Sequence, residues 1–283
     1  MNARQWLWGM LLLGITLGAD PARADIIAYY RFEEGQPNVP ASGTGTILDS
    51  SGHNLNGTPV NGPVYRTDVP ANPVPQTGAP NNLSLQFDGI SQRVTIPDNP
   101  LFQLTHSLTL EAYIKPTADT AFKGQILFRG DDRIGLDPYY LATQPGRQVE
   151  FFIQDAHQNG AFVTATLPAL NQWHHVAGTL DDGTGKLSIY VDGVLQNSTI
   201  TSVRPLDALD PSQNPGLGIG NVESATYSQY FPGLIDEVRI SDTALQPSQF
   251  LNAVPEPGSI ILVITGSLGA IGYRWRRLVH RAT

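Results

Sequence analysis

The chain has 283 residues, of which 15% are charged against roughly 25% in an average globular protein, and it carries 28 glycines, 22 prolines and no cysteine. That composition excludes coiled coils, helical bundles, disulfide frameworks and thiolate chemistry, while 41% hydrophobic residues exclude a wholly disordered chain. A net charge of −8 argues against nucleic acid as a partner.

In chain order, the first element is a basic start at Arg4, an apolar run from Trp6 to Leu17, and then Ala22-Arg23-Ala24. These are the three parts of a secretory signal peptide over residues 1–24, cleaved after Ala24. The run is shorter than the ~20 residues that a membrane span needs.

Period-two alternation then takes over. Ile26, Ala28, Tyr30 and Phe32 share one strand face, Leu85 and Phe87 another, and Leu108, Leu110, Ala112 and Ile114 a third. Further runs follow at Trp173–Leu180, Leu187–Val191 and Leu234–Ile240. Between them stand Asp88-Gly89, Asn159-Gly160, Asp182-Gly183 and Asp192-Gly193, dipeptides that accept positive φ in tight turns. About a dozen short strands without crossover helices predict an all-β, two-sheet antiparallel β-sandwich over residues 25–253. A short helix is expected only over Pro247–Ala253, and the six prolines between Pro59 and Asn82 predict a long ordered loop.

Several stretches stand in a recognisable order: Asp49-Ser50-Ser51-Gly52-His53-Asn54, Leu85-Gln86-Phe87-Asp88-Gly89, Trp173-His174-His175-Val176-Ala177-Gly178, Leu187-Ser188-Ile189-Tyr190-Val191-Asp192-Gly193 and Phe231-Pro232-Gly233-Leu234-Ile235-Asp236-Glu237-Val238-Arg239-Ile240. From Ile26 to Phe250 the chain resembles the bacterial LamG branch of the laminin-G and concanavalin A-like lectin/glucanase superfamily. The resemblance implies a jelly-roll sandwich and places Trp173 in its core. It leaves function open, because this fold carries lectins, adhesins and glycosidases alike.

Relatives that hydrolyse β-glucans hold a Glu, an apolar residue, Asp and Glu in close succession on a strand. Here the nearest run is Leu234-Ile235-Asp236-Glu237, without the leading Glu, and alternation predicts that Asp236 and Glu237 face opposite sides. Glu111 stands alone, and adjacent His174 and His175 point apart, so the chain reads as non-enzymatic. Three of four tryptophans lie in the two ends, which leaves Tyr139, Tyr140, Tyr227 and Tyr230, in loop-like sequence, as candidate glycan platforms or as ordinary loop tyrosines. The pairs Asp131-Asp132 and Asp181-Asp182 read as solvated turns.

A structural Ca2+ is the one expected cofactor, since an acidic domain without sulfur ligands offers many hard oxygens. Asp49 and Asn54 form a turn whose oxygens can curl around one point, the resemblance adds Asp236, and Glu33 is a further ligand, with Glu34 beside it. The alternative is that Asp49 caps a turn and Asp236, facing inward, pairs with Arg31 or Arg239.

The last element, residues 254–283, contains Pro255-Glu256-Pro257, an apolar run from Ser259 to Tyr273 and Arg274-Trp275-Arg276-Arg277. It resembles the PEP-CTERM sorting signal of Gram-negative bacteria, read by an exosortase. The resemblance implies a transmembrane helix that holds the protein transiently in the inner membrane, arginines on the cytoplasmic side. Without both ends the chain loses six of 17 basic and two of 25 acidic residues, so residues 25–253 carry a net charge of −12. The expected protein is an exported, glycan-binding or adhesive component of the cell surface or extracellular polysaccharide matrix; the rivals are a glycoside hydrolase of the same fold and a structural matrix protein without a ligand.

Overall fold

The computed structural model describes residues 25–133, 135–224 and 227–254. The expected signal peptide, the expected sorting motif at Pro255–Pro257, the expected transmembrane helix and the basic tail lie outside the described residues.

Among the described residues, fifteen strands form two antiparallel sheets. The eight-stranded sheet runs β13 (Val194–Ile200), β12 (Lys186–Val191), β11 (His174–Asp181), β6 (Leu108–Pro116), β15 (Pro232–Ser241), β4 (Ser84–Asp88) and β3 (Val64–Arg66), with β1 (Ile26–Tyr30) also paired to β15. The seven-stranded sheet runs β10 (Gly160–Thr166), β9 (Gln148–Gln154), β8 (Tyr139–Gln144), β7 (Gly124–Gly130), β14 (Gly216–Ile219), β5 (Arg93–Pro97) and β2 (Thr58–Val60). The expected all-β sandwich is therefore present. The segment read as one long loop includes β2 and β3, and the helix expected after Pro247 is only a 3-10 turn, Pro247–Gln249.

Alternation explains the core. Leu108, Leu110, Ala112 and Ile114 of β6 meet Val176 and Leu180 of β11 and, from the other sheet, Leu141 of β8 with Val149, Phe151 and Ile153 of β9 in one buried cluster. The β12–β13 hairpin is closed by Asp192 (φ 51°) and Gly193 (φ 79°) between the paired Val191 and Val194. Two positive φ values in a two-residue loop match the strand twist, which is why Asp-Gly is favoured there.

The outer face of the eight-stranded sheet is covered over its middle strands, while edge strand β13 is exposed throughout. Leu245 and Phe250 pack on Ala177 and Tyr190, and Leu251 joins Tyr29, Val74 and Tyr113. Beneath this cover Glu111 accepts hydrogen bonds from Arg239 Nε (2.6 Å) and the Leu251 amide (3.0 Å), and His175 Nε2 lies 2.8 Å from it. All three side chains are buried. Burial works to raise the Glu111 pKa, and the Arg239 guanidinium with His175 overcomes it and holds the carboxylate below its ordinary value.

Two readings need correction on this face. Trp173 is only partly buried; it packs against the satellite cluster outside the sheet, and its Nε1 donates to Asp68 (2.8 Å), pinning the proline-rich segment. Asp236 does not face the inter-sheet core. The pairing of β15 with β6 slips between Asp236 and Arg239, where Glu237 adopts φ 50°. This bulge inserts a residue, so Ile235, Val238 and Ile240 all reach the core while Asp236, Glu237 and Arg239 are left for the outer side. The prediction that Asp236 and Glu237 point apart fails for the same reason.

Candidate functional site

The outer face of the seven-stranded sheet has a different character. Register aligns Phe128 of β7 with Tyr140 of β8, Tyr140 with Phe152 of β9, and Phe152 with Phe162 of β10, so four aromatic rings form one rung across four strands. Phe128 and Tyr140 stack with centroids 6.4 Å apart and planes at 18°, Tyr140 and Phe152 at 4.7 Å and 11°. Such cross-strand aromatic neighbours stabilise a sheet, yet the rung ends in the open, with Phe162 58% exposed. Polar groups flank it: Lys123 Nζ sits 4.2 Å from the Tyr140 ring centroid, the Tyr140 hydroxyl donates to Glu150 (2.6 Å), and Gln144 Nε2 donates to the same oxygen (2.9 Å).

The other end of the rung is covered by the segment before β15. Buried Asn221 shapes that segment, donating to the Tyr227 carbonyl (2.9 Å) and accepting from the Gln229 amide (2.9 Å). Val222 and Tyr227 are thereby laid against Phe128 and Tyr140. Beside them opens a pocket of about 130 Å³ lined by Phe128, Asp131, Asp137, Val222, Glu223 and Tyr227, among others. Burial pushes Glu223 up to about 8, aided by the charges of Asp132, Asp137 and Asp131. Burial also raises Asp137, against the pull of Lys123. Asp131, read from the sequence as a solvated turn residue, is buried and paired with Arg133, whose Nε lies 2.9 Å from both its oxygens.

Of the four expected tyrosine platforms, Tyr227 lines this pocket and Tyr230 is half-buried further along the same segment. Tyr139 and Tyr140 are not exposed loop residues but neighbours in β8, and adjacent strand residues take opposite sides. Tyr139 points between the sheets, where it is fully buried and donates to the Phe102 carbonyl (3.0 Å). Tyr140 faces outward but lies beneath Val222 and Tyr227. Phe128, Phe152, Phe162 and Glu223 escaped the sequence reading. A single ring on an otherwise polar strand face, as Phe162 has between Gly160 and Thr164, was the available signal.

The expected calcium set does not converge. Asp49 already has its donors, accepting from the Tyr29 amide (2.9 Å), the Leu55 amide (3.0 Å) and Ser51 Oγ (2.7 Å); it is the hub that ties its turn to β1. Asn54 is exposed, and Glu33 accepts from the Asn82 and Leu83 amides (2.7 and 2.9 Å). Asp236 accepts from Asn81 Nδ2 (2.9 Å) and the Glu237 amide (2.9 Å), and burial with the neighbouring Glu237 charge raises its pKa well above the ordinary carboxyl value. Neither expected arginine serves it, since Arg31 pairs with Glu237 and Arg239 with Glu111. Among the described residues no group of three or more acidic or histidine side chains is placed to hold a metal ion. His174 and His175 do point apart, His174 to Asp192 (3.0 Å) and His175 to Glu111.

The fold, with one sheet covered over its middle strands and the other carrying an aromatic rung that ends in the open, is an antiparallel jelly-roll sandwich. A Laminin_G_3 family model, described as the concanavalin A-like lectin/glucanases superfamily, matches residues 88–249, and the chain belongs to that superfamily. No curated protein matches the chain. Among solved structures, Domain 4 of AbnA, a GH43 extracellular arabinanase from Geobacillus stearothermophilus in complex with arabinotriose, is similar at a TM-score of 0.53 and 20% identity, over 80% of this chain and 96% of that one. The receptor-binding domain of botulinum neurotoxin C/D mosaic serotype (TM-score 0.53, 14% identity, 79% of this chain, 49% of that one) is also similar. So is the binding domain of Paraclostridial Mosquitocidal Protein 1 (TM-score 0.53, 14% identity, 75% of this chain). The chain spans about half the length of these two toxin domains, 49% and 50%. At such identities the likeness is one of fold.

Proposed function

We propose that the protein is an exported, non-enzymatic glycan-binding or adhesive module whose binding face is the outer side of the seven-stranded sheet. The observation that carries this is the aromatic rung running from the covered pocket to exposed Phe162, because flat rings with polar neighbours are what a sugar face needs. The arabinotriose complex of the arabinanase domain supports the reading as a fold-level precedent. Against hydrolysis by the Asp236–Glu237 pair stands its burial beneath the covering segments, where Tyr29 and Arg31 already engage Glu237. One observation favours the hydrolase rival, the raised carboxyl of Glu223 on the open face; reducing-sugar release that disappears in Glu223→Gln would establish it.

A glycan-array screen of the full-length protein, including the producer's own exopolysaccharide, tests binding. Phe162→Ala and Tyr227→Ala are each expected to weaken the best glycan about tenfold, roughly 1.4 kcal/mol. Phe162→Ala should do so with an unchanged melting temperature, since that ring is mostly exposed. Unaltered affinity in both variants, or no glycan bound at all, would defeat the reading.

The same proposal takes residues 1–24 as the export signal and residues 254–283 as the PEP-CTERM tail, with an exosortase and the inner membrane as transient partners. Surface-released protein should then have a mass that begins at Asp25 and lacks everything after the Pro255–Pro257 region. Recovery of a released form still carrying Arg274–Thr283 would count against sorting.

A further inference from the structure

The pocket beside Phe128 is lined by more carboxyl groups, Asp131, Asp137 and Glu223, than its one lining cation, Arg133, can pair. Arg133 is committed to Asp131, which leaves Asp137 and Glu223 in the lining, with Asp132 next to Asp131 just outside it. Glu223 is 9% exposed and lines the pocket, and its Oε2 has no hydrogen-bond partner; Asp132 Oδ1 is likewise buried without one. A buried carboxylate oxygen left unpaired is costly and is normally relieved by a donor or a cation. The rings of Phe128 and Tyr227 form part of the wall.

We propose that this pocket receives the protonated primary amine of a hexosamine, so that the ligand is a polysaccharide carrying free, non-acetylated amino sugars. The inference rests on the glycan-binding reading and names its ligand class. An ammonium offers three donors that can reach separate carboxylates, and aromatic faces attract it. A bare metal ion fits less well, since the described acidic groups are not placed to share one centre. Beyond buried Tyr140 the rung emerges at Phe152 and Phe162, which provide a track for neighbouring sugars. The net charge of −12 over residues 25–253 draws such a polycation toward the domain.

Protonation should follow binding. The groups acting on Glu223 are Asp131, Asp132 and Asp137, with Arg133 beside Asp131, Lys123 acting on Asp137, and Arg93 lining the groove on the far flank. With a value of about 8 in the free protein, Glu223 is protonated at pH 6. An incoming ammonium stabilises the carboxylate, lowers that value and expels the proton.

The test is titration calorimetry of the full-length protein at pH 6 in two buffers of different ionisation enthalpy. The probes are glucosamine oligosaccharides with free amines, the same oligosaccharides fully N-acetylated, and an oligolysine peptide. The free-amine sugar is expected to bind at least tenfold more tightly than the acetylated one, with proton release. Glu223→Gln should bring the two sugars to equal affinity and abolish the release. Equal affinity of the two sugars for the unaltered protein would overturn the amine assignment while leaving glycan binding standing; no binding of either would remove its support as well. Oligolysine binding as tightly as the amino sugar would overturn the sugar assignment. Discrimination that survives in Glu223→Gln would place the effect in the general acidic surface and overturn the pocket.

Discussion

Replacing Glu111 by alanine is expected to remove about 3–5 kcal/mol of stability, a large share of the 5–15 kcal/mol that holds a typical domain folded. The carboxylate is buried and serves three groups at once: Arg239, His175 and the Leu251 amide. Its removal strands the Arg239 guanidinium, only 4% exposed, in a low-dielectric layer and leaves a buried amide without an acceptor. Urea unfolding should show a lower midpoint, and hydrogen exchange should rise first in residues 242–253, which lose an anchor on the sheet. The parent protein carries a related pH signature. Because Glu111 is held below its ordinary value, its contribution is present above the unfolded carboxyl pKa of about 4.3 and is lost as pH falls through the lower folded value. In Glu111→Ala that part of the acid-side decline should be missing. A variant less than 1 kcal/mol weaker than the parent would mean that the cover over this sheet does not depend on the cluster.

Tyr139→Ala should cost a similar amount, about 3–5 kcal/mol, the range for emptying a buried aromatic site. The ring fills space between the sheets, and the Arg129 guanidinium lies 5.9 Å from its centroid. Tyr139→Phe separates packing from hydrogen bonding, since it keeps the ring and removes only the donor to the Phe102 carbonyl, a loss of about 1 kcal/mol. That variant should bind glycans as the parent does. If Tyr139→Phe folds normally but loses glycan affinity, the tyrosine is a ligand contact and its place in the core is misjudged. The comparison also distinguishes Tyr139 from Tyr227, which the sequence could not rank because both stand in stretches without clear alternation.

What was legible in the sequence is what is local. Alternation in Leu108–Ile114 and in His174–Leu180 marks strands because a one-sided apolar face is costly anywhere but in a sandwich, and Asp192-Gly193 marks its hairpin because few other pairs take two positive φ values. The ordered LamG stretches were legible too, and with them the fold. The positions of Asp236 and Glu237 were not, because one bulged residue reverses the side reached by every later residue of the strand, and nothing in the residue types announces the slip. Trp173 was misplaced for a related reason: its strand starts only at His174, so alternation does not govern it, and the proline-rich segment far away in sequence supplies its hydrogen-bond partner. The aromatic rung depends on the relative register of four strands, a long-range quantity set by loop lengths and the packing of two sheets. By itself, the sequence determined an antiparallel sandwich of this superfamily with an acidic surface. Only tertiary packing decided which sheet is covered over its middle strands, where the aromatic rung opens, and which carboxylates lie unpaired there, because burial and pairing are properties of surfaces brought together rather than of residues taken in order.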